Sequence, residues 1–227
     1  MDLLLGNNMK TALIFGSTGL IGSSLLNLLL KDDYYTAIKI FVRSNMVIND
    51  PKVEIINIDF NKLNEYSHLI KGDDCYFCIG TTKKQTPNND EYRNIEYNLP
   101  VNIGEIAKNN NVRSFLYVSS LGSNPNTKNT YLKNKGEAED FLKKLNFSQL
   151  SIIRPSFLLG TRKEFRLGEI IGKNIFKKLS FLFQGSLKKY RAIEYINVAK
   201  AMILLSKNNY QDIYFDSEYL QDISNNN

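Results

Sequence analysis

The chain has 227 residues, 43% of them hydrophobic and 23% charged, with a formal net charge of +6 and two cysteines. That length and composition suit one globular domain that buries its core without staples, and exclude a disordered chain and a disulfide-framed secreted module. The Lys and Arg residues are scattered rather than blocked, so the charge reads as a solvated surface suited to an anionic ligand, and no apolar run reaches the roughly 18 residues that a membrane span needs.

Residues 1–9 read as a loose leader, with Met9 as an alternative start, and a single domain is expected over 10–220 with a disordered tail at 221–227. The stretch from Lys10 to Leu30 organises the rest of the chain. An apolar run ends at Gly16, Gly19 and Gly22 come next, and a leucine-rich segment succeeds them. This is a buried strand, a glycine turn and a helix. Such a turn brings backbone close to a phosphate, and the free N–H groups and positive end of the helix hold the anion. The spacing is G-x-x-G-x-x-G rather than the G-x-G-x-x-G of the common dinucleotide fingerprint, with the same physical purpose.

Further strands are expected at 37–42, 53–58, 74–80, 112–119 and 150–154. Helices are expected at 61–70, at 91–109 with an interruption at Pro100, and at 130–145. This alternation implies parallel βαβ units and a doubly wound sheet with helices on both faces. Ligands then bind beyond the carboxyl ends of the strands, where the strand order reverses. Cys75 and Cys78 lie three apart in one strand and point to opposite faces, which argues against a redox or zinc pair. From Gly160 the pattern changes. An apolar and basic helix at 169–183 is expected to cover the substrate site, its alternative being a membrane-surface helix. A helix at 195–206 and a last short strand at 213–215 complete the chain. The substrate-side elements are expected mainly within 156–195.

The second strand ends in Arg43-Ser44 with no acidic neighbour before Asp50, while Asp32 and Asp33 precede the strand. An acidic residue there would bind the ribose 2′-hydroxyl of NAD; an Arg accommodates the 2′-phosphate of NADP, so NADP is favoured over NAD. Asp59 is placed to meet the adenine edge or to cap the next helix. Tyr131 and Lys135, four apart, share a helix face, where a cation lowers the pKa of a phenol and fits it for proton transfer. With 13 tyrosines in the chain, roughly one Y-x-x-x-K arises by chance. Tyr35 and Lys39 also match, but at the end of the sheet away from the crevice. Ser119-Ser120 closes the strand before Tyr131 and supplies a hydroxyl for the same substrate oxygen. His68 is the only histidine, and no cluster has metal-ligand spacing.

Strand–GSTGLIG–helix, Ser119-Ser120, Tyr131…Lys135 and Arg154-Pro155 in that order resemble the short-chain dehydrogenase/reductase superfamily, in its extended and atypical NAD(P)-binding branch. CIGTTKKQ (78–85), SSLGSN (119–124), YLKNKGEAE (131–139) and IIRPSFLLG (152–160) resemble the Tat-interacting-protein-like oxidoreductases, small NADPH-binding members of that branch. The likeness covers about residues 10–205 and implies an α/β, Rossmann-like fold with a small C-terminal part over the substrate.

It further implies that Gly16, Thr18, Gly19, Leu20, Ile21 and Gly22 line the pyrophosphate, and that Arg43 and Ser44 meet the 2′-phosphate. Ile79, Gly80 and Thr81 would run along a cofactor ribose. Tyr131 would be the acid/base, with Lys135 holding the nicotinamide ribose and Ser120, ahead of Ser119, facing the substrate. Asn98 falls where the superfamily often has an Asn. Pro155, Leu158 and Leu159 would meet the carboxamide, and Arg166 would close over the phosphates. The expectation is a cytoplasmic NADPH-dependent reductase of a small carbonyl substrate, monomeric or homodimeric, without nucleic-acid partner or membrane span. Its alternative is a non-catalytic NADPH-binding redox sensor acting through a protein partner.

Overall fold

A computed structural model describes residues 10–160 and 190–225. Seven strands form one parallel sheet: β1 (Lys10–Phe15), β2 (Tyr35–Val42), β3 (Val53–Asn57), β4 (Asp74–Phe77), β5 (Ser114–Val118), β6 (Gln149–Arg154) and, after a separate two-stranded pair, β9 (Tyr214–Asp216). The order is β3-β2-β1-β4-β5-β6-β9. The central strands are apolar on both faces, as an all-parallel sheet covered on both sides requires. The small pair joins β7 (Leu158–Leu159) to β8 (Ile193–Glu194).

Each face of the sheet has its own core. On one, α1 (Leu20–Leu30), α5 (Tyr195–Lys207) and α6 (Ser217–Asn225) bury Leu25, Leu29, Val198, Met202 and Leu220 against Ile14, Ile40 and Tyr76. On the other, α3 (Leu99–Asn109), α4 (Thr130–Lys144) and a 3-10 segment at Phe60–Leu69 cover Phe15, Phe41, Phe77 and Phe115. The Phe15 and Phe41 rings stack with centroids 4.4 Å apart. Cys75 packs into the second core and Cys78 into the first, on opposite faces as the spacing requires.

Several boundaries differ from the sequence expectation. The second strand begins at Tyr35, because its ring is buried and its hydroxyl bonds Asp74, Tyr76 and Ser206. The expected helix at 61–70 is a 3-10 segment, and the fourth strand stops at Phe77. The expected tail from 221 is instead the second half of α6, which buries Leu220 and Ile223 down to Asn225. The 1–9 leader, the helix at 169–183 and Arg166 lie outside the described residues.

The expected helix at 91–109 is three pieces: α2 (Asn89–Arg93), a π turn (Asn94–Asn98) and α3. Pro100 explains the break. It has no N–H for the carbonyl four residues back, at Glu96, and its ring crowds that position. The chain adds one residue to the turn: the Leu99 N–H bonds the Asn94 carbonyl, five back. The Glu96 carbonyl accepts instead from the Tyr117 hydroxyl at 3.5 Å.

Candidate functional site

The strand order reverses between β1 and β4, and the glycine turn stands at that point. Gly16 has φ +91°, open to glycine at little cost. A Cβ there would lie 2.8 Å from the Cys78 carbonyl carbon and 2.9 Å from the Ile79 nitrogen. At Gly22 a Cβ would come within 2.1 Å of the Gly16 carbonyl oxygen. Turn, helix start and the β4 end are therefore packed backbone to backbone.

The first turn of α1 has neither a capping side chain nor an acidic residue, so its N–H groups and dipole are left for an anion. Beside them the Ser17 hydroxyl is 3% exposed and has no hydrogen-bond partner among the described residues. A buried donor without a partner is costly unless a ligand supplies one. The residues present thus fit a bound diphosphate. Thr18 is exposed, Gly19 and Leu20 half-buried, and Ile21 buried under the turn.

Arg43 and Ser44 are exposed just past β2, and no described residue pairs with the Arg43 guanidinium. Asp32 is held elsewhere, accepting from Lys207 Nζ at 2.8 and 2.6 Å. Asp59 accepts from the Asn61 N–H at 2.9 Å, so it caps the 3-10 segment while remaining exposed. Ile79 and Gly80 are half-buried and Thr81 is buried, its hydroxyl 2.8 Å from that of Thr86.

After β5, Asn129 caps α4 by accepting from the Leu132 N–H at 3.1 Å. Tyr131 lies in the first turn, half-buried, and no hydrogen bond within the described residues engages its hydroxyl. Lys135, one turn on, is 1% exposed. Its Nζ donates to the Val118 carbonyl at 3.0 Å, pairs with Glu96 Oε2 at 3.0 Å and lies 4.7 Å from the Tyr117 ring centre. Burial alone would lower the Lys135 pKa, but the Glu96 carboxylate beside it raises it above its ordinary value.

Ser119 and Ser120 are both 3% exposed, but their partners differ. The Ser119 hydroxyl donates to the Glu139 carboxylate, which also accepts from Arg154 through Nε at 3.0 Å and through Nη2. Among the described residues the Ser120 hydroxyl has only a long contact with the Leu121 carbonyl, at 3.5 Å. Ser119 is thus committed to the fold and Ser120 is available. Pro155 is buried and its carbonyl accepts from the Leu121 N–H at 3.0 Å, tying the β6 end to the serine loop. Leu158 and Leu159 form β7, half-buried. Asn98 does not reach Lys135: its amide bonds Asn94 Oδ1 at 3.3 Å, and Glu96 stands by the lysine instead.

Ser17, Glu96 and Glu139 escaped the sequence reading. Ser17 had a signal in its place between two turn glycines. Glu139 and Glu96 look like ordinary solvated helix charges, and only the packing shows them sealed at 1% and 0% exposure. Among the described residues no group of His, Cys, Asp and Glu could hold a metal, and no helix is long and apolar enough to cross a membrane.

Comparison with known proteins agrees with this geometry. Residues 16–179 match the model of a family described as NAD(P)H-binding. The chain is 29% identical over 198 residues to Protein HTATIP2 of Rattus norvegicus, covering 86% of this chain and 80% of that protein. It is 30% identical over 184 residues to the mitochondrial protein FMP52 of Debaryomyces hansenii, covering 80% of each. Among solved structures, a UDP-N-acetylglucosamine 4-epimerase from Methanobrevibacter ruminantium, in complex with UDP-N-acetylmuramic acid, superposes with TM-score 0.67 at 17% identity. That superposition covers 92% of this chain and 76% of the other, and shows a shared fold.

Proposed function

The chain belongs to the NAD(P)H-binding family, and from that premise we propose that it is an NADPH-dependent oxidoreductase that reduces a small carbonyl compound. The observation that supports this reading is topological: the glycine turn follows β1, Ser120 follows β5, and Tyr131 lies in the first turn of α4, the next helix, in a parallel sheet whose strand order reverses between β1 and β4.

The uncapped start of α1 and the Ser17 hydroxyl hold the diphosphate. Arg43 and Ser44 meet a ribose 2′-phosphate and favour NADPH, since no acidic residue follows β2 in sequence before Asp50. Thr18, Gly19, Leu20 and Ile21 line the turn, while Ile79, Gly80 and Thr81 border the ribose. Pro155, Leu158 and Leu159 flank the nicotinamide side. Bound there, the dinucleotide supplies a hydride. Ser120 donates a hydrogen bond that orients the substrate oxygen. Tyr131 gives its phenolic proton to that oxygen as the carbonyl becomes an alcohol. Lys135, held as a cation, favours the phenolate left behind. Asp59, occupied as a cap, has a lesser part at the adenine edge. Asn98, bonded to Asn94, serves the π turn rather than the chemistry. Arg166 as a closing residue and the apolar, basic stretch at 169–183 as the cover of the substrate site belong to the same proposal.

Transfer of deuterium from 4-deuterated NADPH to a panel of aldehydes and ketones tests this reading. Tyr131→Phe should lower turnover by about 10²- to 10⁴-fold while NADPH affinity stays within about threefold. Deuterium transfer that is unaffected by the variant would refute the role of Tyr131.

A second reading, a non-catalytic NADPH-binding sensor with a protein partner, is favoured by one observation: Lys135 is sealed against Glu96 rather than open to the cleft. Failure of every carbonyl to accept deuterium, with NADPH binding intact, would select it. Two cysteines, each buried on its own face of the sheet, suit a reducing compartment; a cytoplasmic location is proposed, with a mitochondrial one, as in the name of the yeast relative, as its rival.

A further inference from the structure

Glu96 is a buried carboxylate with two tasks. Its side chain is 0% exposed. One oxygen accepts the Thr81 N–H at the end of β4, and the other pairs with Lys135 Nζ at 3.0 Å. The two partners belong to different elements: Thr81 to the loop after β4, Lys135 to α4. The π turn that puts Glu96 there is braced from outside. Arg93 lies over the Tyr97 ring, 4.2 Å from its centre, and bonds Asn134 Oδ1 at 2.9 Å and Glu137 Oε2 at 2.7 Å on α4.

We propose that Glu96 is a positioning residue of the site: its carboxylate is the counter-charge that keeps Lys135 an ammonium ion in a sealed place and ties α4 to the β4 loop. This rests on the proposed function for its consequence, but the geometry and its test do not need the reaction.

The surroundings of Lys135 leave few alternatives for that task. From β5 it meets the Val118 carbonyl and the neutral Tyr117 ring, whose phenol burial pushes further up in pKa. From its own helix it feels Tyr131. Glu139 lies one turn on, but its carboxylate is taken by Ser119 and Arg154. The Thr81 amide is directed at Glu96, not at the lysine. A buried ammonium without a partner tends to lose its proton. The Glu96 charge opposes that tendency. Glu96→Gln keeps an acceptor for Thr81 and puts a neutral amide NH2 where the charged oxygen faced Lys135.

The test is a titration of the Lys135 side-chain nitrogen by NMR in the full-length, cofactor-free protein, wild type against Glu96→Gln. The wild-type ammonium should persist to the alkaline limit of the folded protein. In the variant a midpoint should appear inside that range, below the ordinary lysine value of about 10.4. An ammonium that persists to the same limit in the variant would overturn the proposal. If Glu96→Gln does not fold, the double variant Glu96→Gln/Lys135→Met decides. Recovery of folding shows that the unpaired lysine was the fault and supports the proposal, and failure to recover overturns it. NADPH titrations of both proteins from pH 7 to pH 10 separate this idea from the proposed function. A variant whose NADPH affinity falls about tenfold more than that of the wild type supports both. A shifted lysine midpoint in a protein that binds no NADPH keeps the role of Glu96 and refutes the proposed function.

Discussion

The carbonyl oxygen of Gly16 lies so near the α-carbon of Gly22 that a methyl group on Gly22 would sit 2.1 Å away from it. Nothing there can yield cheaply, because the obstacle is backbone. Gly22→Ala should therefore push α1 away from the turn, costing on the order of 1–3 kcal/mol and disrupting the anion cradle. Urea unfolding and NADPH fluorescence check this together: stability and affinity should both drop, and a variant equal to the wild type in both would show that the cradle is not built as described.

Glu139 holds the serine loop to β6 from a nearly sealed position. Glu139→Ala leaves Arg154 half-buried without its carboxylate and Ser119 without its acceptor. A loss of about 2–4 kcal/mol is expected, somewhat reduced because the Arg154 side chain is 26% exposed. Ser119→Ala, which removes one hydrogen bond, should cost only about 1 kcal/mol. Chemical denaturation of the two variants gives the order directly.

The parts of the site that lie close together in the chain were legible before the structure. The strand, the three glycines and the helix of 10–30 are local, as are the Tyr131–Lys135 spacing and the serines that end β5. Parts that depend on tertiary packing were not. Glu96 faces inward because Pro100 forces a π turn, and a helical reading of 91–109 hides that. Polar residues around 221–225 concealed that Leu220 and Ile223 bury a helix face. Asp59 follows β3 and Asn98 ends the π turn, where their side chains bond local backbone and a neighbouring amide.

Asp74, at the sheet end away from the cleft, is fully buried. It pairs with Arg113 and accepts from the Tyr35 hydroxyl at 2.8 Å. Burial raises its pKa above the ordinary carboxylate value despite Arg113 and the Tyr35 hydrogen bond. A raised carboxylate pKa contributes stability that is complete below the unfolded-state value and is lost as pH rises through the folded-state value. Asp74→Asn removes that dependence. The stability of wild type minus variant should therefore be more favourable near pH 4 than at pH 7. Urea unfolding at both pH values checks it, and a difference that grows toward pH 7 would contradict the assignment.

Arg43 stands at the end of β2 with no acidic residue beside it in sequence to receive a ribose 2′-hydroxyl. Arg43→Ala should remove a charge-assisted contact of about 1.5–3 kcal/mol from NADPH and almost nothing from NADH.

The most direct test is a fluorescence titration of the wild-type protein with NADPH and, separately, with NADH, repeated on Arg43→Ala. NADPH should bind about tenfold or more tightly than NADH, and the variant should bring the two together. Equal affinities in the wild type would contradict the NADP preference, and no binding of either would contradict a functional nucleotide site at the glycine turn.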